Sequence, residues 1–167
     1  ALRMMRAVRF ESQLGFSVTD TTQAAIQKHA ALLTKIAVER IHVELVKLMQ
    51  GVQRQNGLAT FLATGLNQYC PGLVDQQPQL STLLALPDTQ LSDERAIWLL
   101  LVTRLGLTPQ QTTRFLKQWK CANDVLAAVR GGVCLLPKLL DQTAQKIDLY
   151  QSGADVLTIC LQVGTLM

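Results

Sequence analysis

Signals that start and stop helices recur along the whole chain, and no stretch alternates apolar and polar residues long enough to make a convincing strand. A chain punctuated in this way is predicted to fold as a set of short helices, all-α. Composition agrees. The 167 residues include thirty Leu and eighteen Gln, both at home in helices, and only eight aromatics. With 49% hydrophobic and 17% charged residues the chain is core-forming and not disordered.

The punctuation places the helices. A first helix is predicted from Ala1 to Leu14, stopped by Gly15, and a second from a capping box of Asp20 and Gln23 through Leu33. A third covers Val38 to Gln50 and ends at Gly51, with Ile41, Leu45 and Leu48 at helical spacing. Shorter helices are expected at Leu58 to Leu66 and Gln79 to Leu86, the latter stopped by Pro87. Ser92 is expected to cap an apolar helix from Asp93 to Leu105, and Thr108-Pro109-Gln110-Gln111 supplies an N-cap, a first-turn proline and a capping-box Gln. Further helices fit Asn123 to Arg130, with Gly131-Gly132 as a stop, then Pro137 to Tyr150 and Ala154 to Val163.

Other classes are disfavoured. Cysteines 70, 121, 134 and 160 form no CxxC or CxC pair, and His29 and His42 lie near neither each other nor a cysteine in sequence. This argues against a zinc site or a disulfide framework and for reduced thiols in the cytoplasm. The longest apolar run, Ala96 to Val102, is far short of a bilayer span, so no membrane partner is expected. The Arg-rich opening ALRMMRAVRF looks superficially like a transit peptide, but it lacks the usual serines, and the chain starts without an initiator Met. The start is read as a cut through a longer protein.

The net charge of +4 conceals an alternation. Residues 1–54 carry +4, residues 55–94 carry −4, residues 95–138 carry +6 and residues 139–167 carry −2. Two basic blocks flank an acidic one, a pattern open to a polyanionic partner or to solvated helix faces.

Within the first block, Arg3, Arg6 and Arg9 fall within about 120° of one helix face and rise about 4.5 Å from one to the next. The rest of that helix is largely apolar, and guanidiniums on a mostly buried helix are costly unless anions neutralise them. A row of arginines suits a triphosphate or an RNA backbone, to which guanidinium makes forked, charge-assisted bonds. Solvated arginines, or pairing with carboxylates elsewhere in the fold, would explain the same spacing. His42 is expected as a partly buried packing residue, His29 as ordinary surface, and Trp119 as a helix-packing residue that could alternatively stack on a base.

Ala1 to Phe10, then Leu14-Gly15-Phe16, then Glu39-Arg40-Ile41-His42-Val43-Glu44-Leu45 with Lys47-Leu48-Met49, together resemble the neck of class II tRNA nucleotidyltransferases. These are the CCA-adding enzymes and their poly(A) polymerase relatives, and the version found in Gram-positive bacteria is the most similar. The resemblance is specific over residues 1–50, and beyond them only compositional and helical. It implies a neck over 1–54, a helical body over 55–138 and the start of a tail over 139–167, without the α/β catalytic head. Arg3 matches the arginine of the family's EDxxR motif.

The resemblance implies addition of C, C and A to the tRNA 3′ end from CTP and ATP, with pyrophosphate released. Reading a base without a template needs a carboxylate for the exocyclic amine shared by C and A, and an arginine for the ring acceptors beside it. Uracil and guanine would leave those groups unpaired. By resemblance Arg3 is that arginine, and Arg6 and Arg9 face the nucleotide's phosphates. Glu39, Arg40 and Glu44 match a later neck motif and are expected to support it as a cap and local ion pair. The second basic block, including Arg114, Lys117, Lys120 and Arg130, is a candidate tRNA surface.

Catalysis in the family uses Mg²⁺ held by head carboxylates. The acids of residues 1–54 offer no such pair, so no catalytic or metal residue is expected in this chain, which should be inactive alone. The family also leaves open an A-adding, CC-adding or poly(A)-adding relative, and a homodimer. Outside it stands a non-catalytic helical module that binds RNA or protein.

Overall fold

The computed structural model describes residues 1–88 and 90–167, and among them there is no strand. The helices are α1 Leu2–Leu14, α2 Asp20–His29, α3 Val38–Met49, α4 Arg54–Ala63, α5 Gln77–Ser81, α6 Glu94–Arg104, α7 Pro109–Gln118, α8 Asn123–Leu140 and α9 Lys146–Gly164. Short 3₁₀ turns occupy Ala30–Lys35, Leu66–Tyr69 and Thr82–Ala85. The architecture is all-α. None of the helices among the described residues is long and apolar enough to cross a membrane.

The chain forms two compact units, one of residues 1–90 with 118–120, the other of residues 91–117 with 121–167. The division between the compact units falls near residue 90, and α8 runs through position 138.

In the first unit α1 packs on α3 and α4. Met5 and Val8 are fully buried on α1, facing a core that includes Leu48, Leu58 and Phe61. Each such side chain contributes about 1.5–3 kcal/mol of burial. Gly15, at φ 71°, ends α1 in the left-handed region and donates its N–H to the Glu11 carbonyl at 3.1 Å. Beside it, Ser12 ties the helix to the α3–α4 turn. Its Oγ donates to the Leu48 carbonyl at 2.6 Å, and its own carbonyl accepts from the Gln53 N–H at 2.9 Å.

Several boundaries differ from the sequence expectation, each for a visible reason. The cap of α2 is Thr19, whose side chain accepts from the Thr22 N–H, while Gln23 donates instead to the Val18 carbonyl. The helix expected from Leu58 begins at Arg54, because the buried Arg54 guanidinium donates to the Pro87 carbonyl. Burial pulls the Arg54 pKa below its ordinary value, and neighbouring Asp88 opposes that shift. Gln55 completes the tie, its N–H donating to Asp88 Oδ1 at 3.2 Å and its Nε2 to the Leu86 carbonyl at 2.6 Å.

In the second unit α6 is apolar all round, and Ala96 to Val102 are buried without a break, so it is the central helix on which α8 and α9 pack. Asp93, and not Ser92, caps it, accepting from the Arg95 N–H at 2.8 Å. Trp98 packs edge-on against Phe115 of α7, with ring centroids 6.0 Å apart.

Gly131-Gly132 does not stop α8. A β-carbon on Gly132 would stand 2.8 Å from the Leu99 side chain, so the glycine lets α8 approach α6 closely and the packing carries the helix onward. Helix α9 does break where expected, at Gly153 with φ 78°.

Candidate functional site

The arginine stripe lies on α1, an element fixed by the burial of its opposite face. Leu2, Met5, Val8 and Ser12 point into the first unit, which leaves Arg3 and Arg6 exposed and Arg9 half-buried. The three guanidiniums are not equivalent. Arg6 Nε donates to Glu44 Oε1 at 3.1 Å, and Arg9 Nε lies 2.7 Å from Glu44 Oε2. Arg9 also donates from Nη1 to Gln13 Oε1 at 2.7 Å and sits over the Phe10 ring, 4.1 Å from its centroid. Arg3 makes no ion pair among the described residues.

Glu44 thus compensates two of the three arginines, which the sequence alone left uncompensated. It is buried, with its side chain 8% exposed, and it comes from α3, whose burial of Ile41, Leu45 and Leu48 turns it toward α1. The other two residues of its motif behave differently. Glu39 and Arg40 are exposed at the start of α3, and neither forms an ion pair or cap among the described residues. The expected local Glu39–Arg40 cap and ion pair is not formed among the described residues: the N-cap of α3 is Ala37, whose methyl group cannot accept a hydrogen bond.

Arg3 borders a largely apolar groove of about 470 Å³ between α1 and α2, lined also by Met4, Ala7, Thr22, Ile26 and His29. His29 is exposed, as expected for surface, but it shares this groove with Arg3, a proximity that sequence reasoning missed for lack of any local signal. His42 is half-buried, and its Nδ1 lies 2.8 Å from the Trp119 carbonyl. Trp119 is fully buried, a packing residue that presents no face for stacking on a base.

The second basic block is unevenly compensated. Arg95 pairs with Asp93 at 2.7 Å and Lys138 with Asp148. Arg114, Lys117, Lys120 and Arg130 are exposed and make no ion pair among the described residues. Helix α7, which carries Arg114 and Lys117, has no acidic residue.

The acids near the stripe do not fit a magnesium site. Glu44 is held between two guanidiniums, and Glu11 Oε1 accepts from the Val18 N–H at 3.2 Å inside the first unit.

The chain is similar to known proteins along its whole length. Residues 89–167 match the family model described as tRNA nucleotidyltransferase domain 2, and residues 15–76 match one described as "Probable RNA and SrmB- binding site of polymerase A". The chain is 65% identical over its whole length to the CCA-adding enzyme of Latilactobacillus sakei and 44% identical to that of Levilactobacillus brevis, spanning 42% of each. To the CCA-adding enzyme of Enterococcus faecalis it is 43% identical over 93% of its length. Among solved structures, the Bacillus stearothermophilus CCA-adding enzyme in complex with CTP superposes with a TM-score of 0.88 at 34% identity, covering 97% of this chain and 41% of that one. The sequence motif on α1 and α3, the helical fold and these relatives converge: the chain belongs to the tRNA nucleotidyltransferase family and spans about 42% of the length of the CCA-adding relatives it matches.

Proposed function

We propose that the protein containing this chain is a CCA-adding tRNA nucleotidyltransferase, and that this chain supplies the groups that read the incoming CTP or ATP together with part of the tRNA-binding surface. The observation that carries the reading is the asymmetry of the stripe: Arg6 and Arg9 share Glu44, while Arg3 stands exposed with no carboxylate partner among the described residues. A guanidinium in that state is available to the ring acceptors of a base, N3 and O2 of cytosine or N1 of adenine, and a U or G would leave it unpaired. Arg6 and Arg9, further along α1, bring a net charge of +1 with Glu44 and fit the triphosphate. A CCA-adding relative of this fold is known with CTP, which supports assigning the nucleotide to this neck.

The tRNA acceptor end is the second substrate, and Arg114, Lys117, Lys120 and Arg130 are proposed to meet its phosphates, which ask for positive charge without sequence. In the reaction the tRNA 3′-hydroxyl attacks the α-phosphate and pyrophosphate leaves. Magnesium would supply charge stabilisation to such a transfer when bound, held by carboxylates of the catalytic head that the resemblance implies. The work of these residues is to bind and orient nucleotide and tRNA in the cytoplasm.

The test is terminal addition to tRNA lacking its CCA end, with the 3′ products sequenced. The full-length protein should add C, C and A from CTP and ATP, and this chain alone should add nothing. Products ending in A only, in CC or in a run of A would replace the reading with a relative of other specificity. Terminal addition by this chain alone would contradict the assignment of catalysis to other residues.

A further inference from the structure

Glu44 approaches both of its arginines at the same position of the side chain, with a different oxygen for each. It meets Arg6 at Nε and Arg9 at Nε, at 3.1 and 2.7 Å, one carboxylate oxygen to each. The Nε of each guanidinium therefore faces the carboxylate, Arg6 in a hydrogen bond and Arg9 in an ion pair, and among the described residues only Gln13 takes up a terminal nitrogen. Arg6 has no second partner among the described residues, and its side chain is 53% exposed. Arg9, whose side chain is 14% exposed, uses Nη1 on Gln13, and its Nη2 makes no hydrogen bond among the described residues. Two guanidiniums one helical turn apart repel each other, and an arginine has about 2 kcal/mol of rotamer entropy to lose when it is fixed. A buried carboxylate between them offsets the repulsion and sets both orientations before any ligand arrives.

We infer that Glu44 is a positioning residue that presents the Arg6 and Arg9 forks, terminal nitrogens outward, to the triphosphate of the incoming nucleotide, while having no part in choosing its base. This rests on the proposed nucleotide reading of the stripe. The two jobs separate on α1. Arg3, which Glu44 does not touch, discriminates C and A from U and G. Arg6 and Arg9, which it holds, bind what CTP and ATP have in common.

The consequence is a distinctive kinetic pattern. Glu44→Gln keeps the shape but replaces one oxygen by an NH₂ group, a donor facing a donor, so at least one arginine is released. In the full-length enzyme the KM for CTP and that for ATP should rise together by about tenfold, the loss of one charge-assisted bond. The kcat and the frequency of wrong-base incorporation should stay near those of the parent, and Glu44→Asp should recover part of the loss. Impaired packing alone would lower the melting temperature and the active fraction, and leave KM unchanged.

Arg6→Lys provides an independent arm, because Arg6 is exposed and its replacement leaves the core intact. Lysine cannot touch Glu44 through an Nε–H and still present two outward donors, so KM should rise for both nucleotides. Adding Glu44→Gln to Arg6→Lys should raise it by less than the product of the single effects. If Arg6→Lys raises KM and Glu44→Gln does not, or if the effects multiply fully, Glu44 does not position Arg6 and the inference falls while the nucleotide reading stands. If Arg6→Lys and Arg9→Ala leave both KM values unchanged, the reading of the stripe fails and takes this inference with it. Should Glu44→Gln fail to fold, the KM values of Arg6→Lys and Glu44→Asp decide: a joint rise for CTP and ATP in both supports the inference, and no rise in Glu44→Asp overturns it.

Discussion

Ser12 Oγ occupies the space that a side chain on Gly51 would need: a β-carbon built there would stand 1.9 Å from it and 2.5 Å from the Ser12 carbonyl oxygen. Gly57 meets the same serine from α4, where an added carbon would lie 2.6 Å from Ser12 Cβ and 2.6 Å from the Val8 carbonyl oxygen. The C-terminal half of α1 is thus clamped between two glycines. That clamp, with Glu44 toward the other end, fixes the helix that carries the arginines.

Replacing Gly51 by Ala should therefore cost about 1–3 kcal/mol, because the clashing atoms include backbone that cannot rotate away. Urea denaturation followed by circular dichroism measures this. Gly65→Ala is the reference for a glycine of a different kind: a β-carbon there meets nothing within 4 Å, and only its φ of 68° opposes the change. A Gly51→Ala midpoint equal to that of the parent would remove the clamp.

Acidification should loosen the second unit. The Arg95 guanidinium, hydrogen-bonded to both Asp93 oxygens, holds the Asp93 carboxyl below the usual carboxylate range, and the Arg95 backbone N–H adds to this. A carboxyl depressed in the folded state contributes stability above its unfolded pKa of about 3.9, and that contribution is lost as pH falls through the lower folded value. Asp93→Asn keeps an N-cap acceptor but loses the ion pair with Arg95, so after solvent screening it should cost less than about 1 kcal/mol at pH 7 and flatten the loss of stability between about pH 5 and pH 2. Asp148, held low by Lys138, keeps a residual slope in that variant. Urea midpoints across this range check both slopes.

Thiol reactivity reads out the two cores. Burial pushes the Cys70 thiol up to about 12 and Cys160 to about 11, while Cys134 is exposed on α8. Alkylation of the native chain at pH 8 should modify Cys134 more than about a hundredfold faster than Cys70, since the thiolate is the reacting form. Peptide mass spectrometry after brief labelling measures the ratio, and urea should abolish it. Equal labelling of Cys70 and Cys134 in the native chain would contradict the placement of Cys70 in the core.

What was legible in the sequence was local. Thr108 and Gln111 form the reciprocal capping box their spacing predicts, the Gln111 N–H donating to Thr108 Oγ1 at 3.3 Å and the Thr108 N–H to Gln111 Oε1 at 2.9 Å. Gly15 ends α1, and Gly153 breaks α9, for equally local reasons. What was hidden depended on partners far along the chain. Arg54 starts α4 because Pro87, 33 residues away, accepts from it, and Gly132 stays helical because Leu99 packs against it. The same holds for the site. The arginine spacing on α1 was plain, but Glu44 lies 38 residues beyond Arg6, and only the fold distinguishes the arginines it holds from the one it leaves free.

Arg3 carries the central claim, and Arg3→Ala in the full-length enzyme tests it most directly. With all four nucleoside triphosphates and tRNA lacking its CCA end, sequencing of the 3′ products should show loss of C and A selection, with U and G incorporated. Binding of tRNA should stay within about twofold of the parent, since Arg3 is one exposed cation among many. Products still ending in faithful CCA, at unchanged nucleotide preference, would contradict the role of Arg3 as a reader of the base.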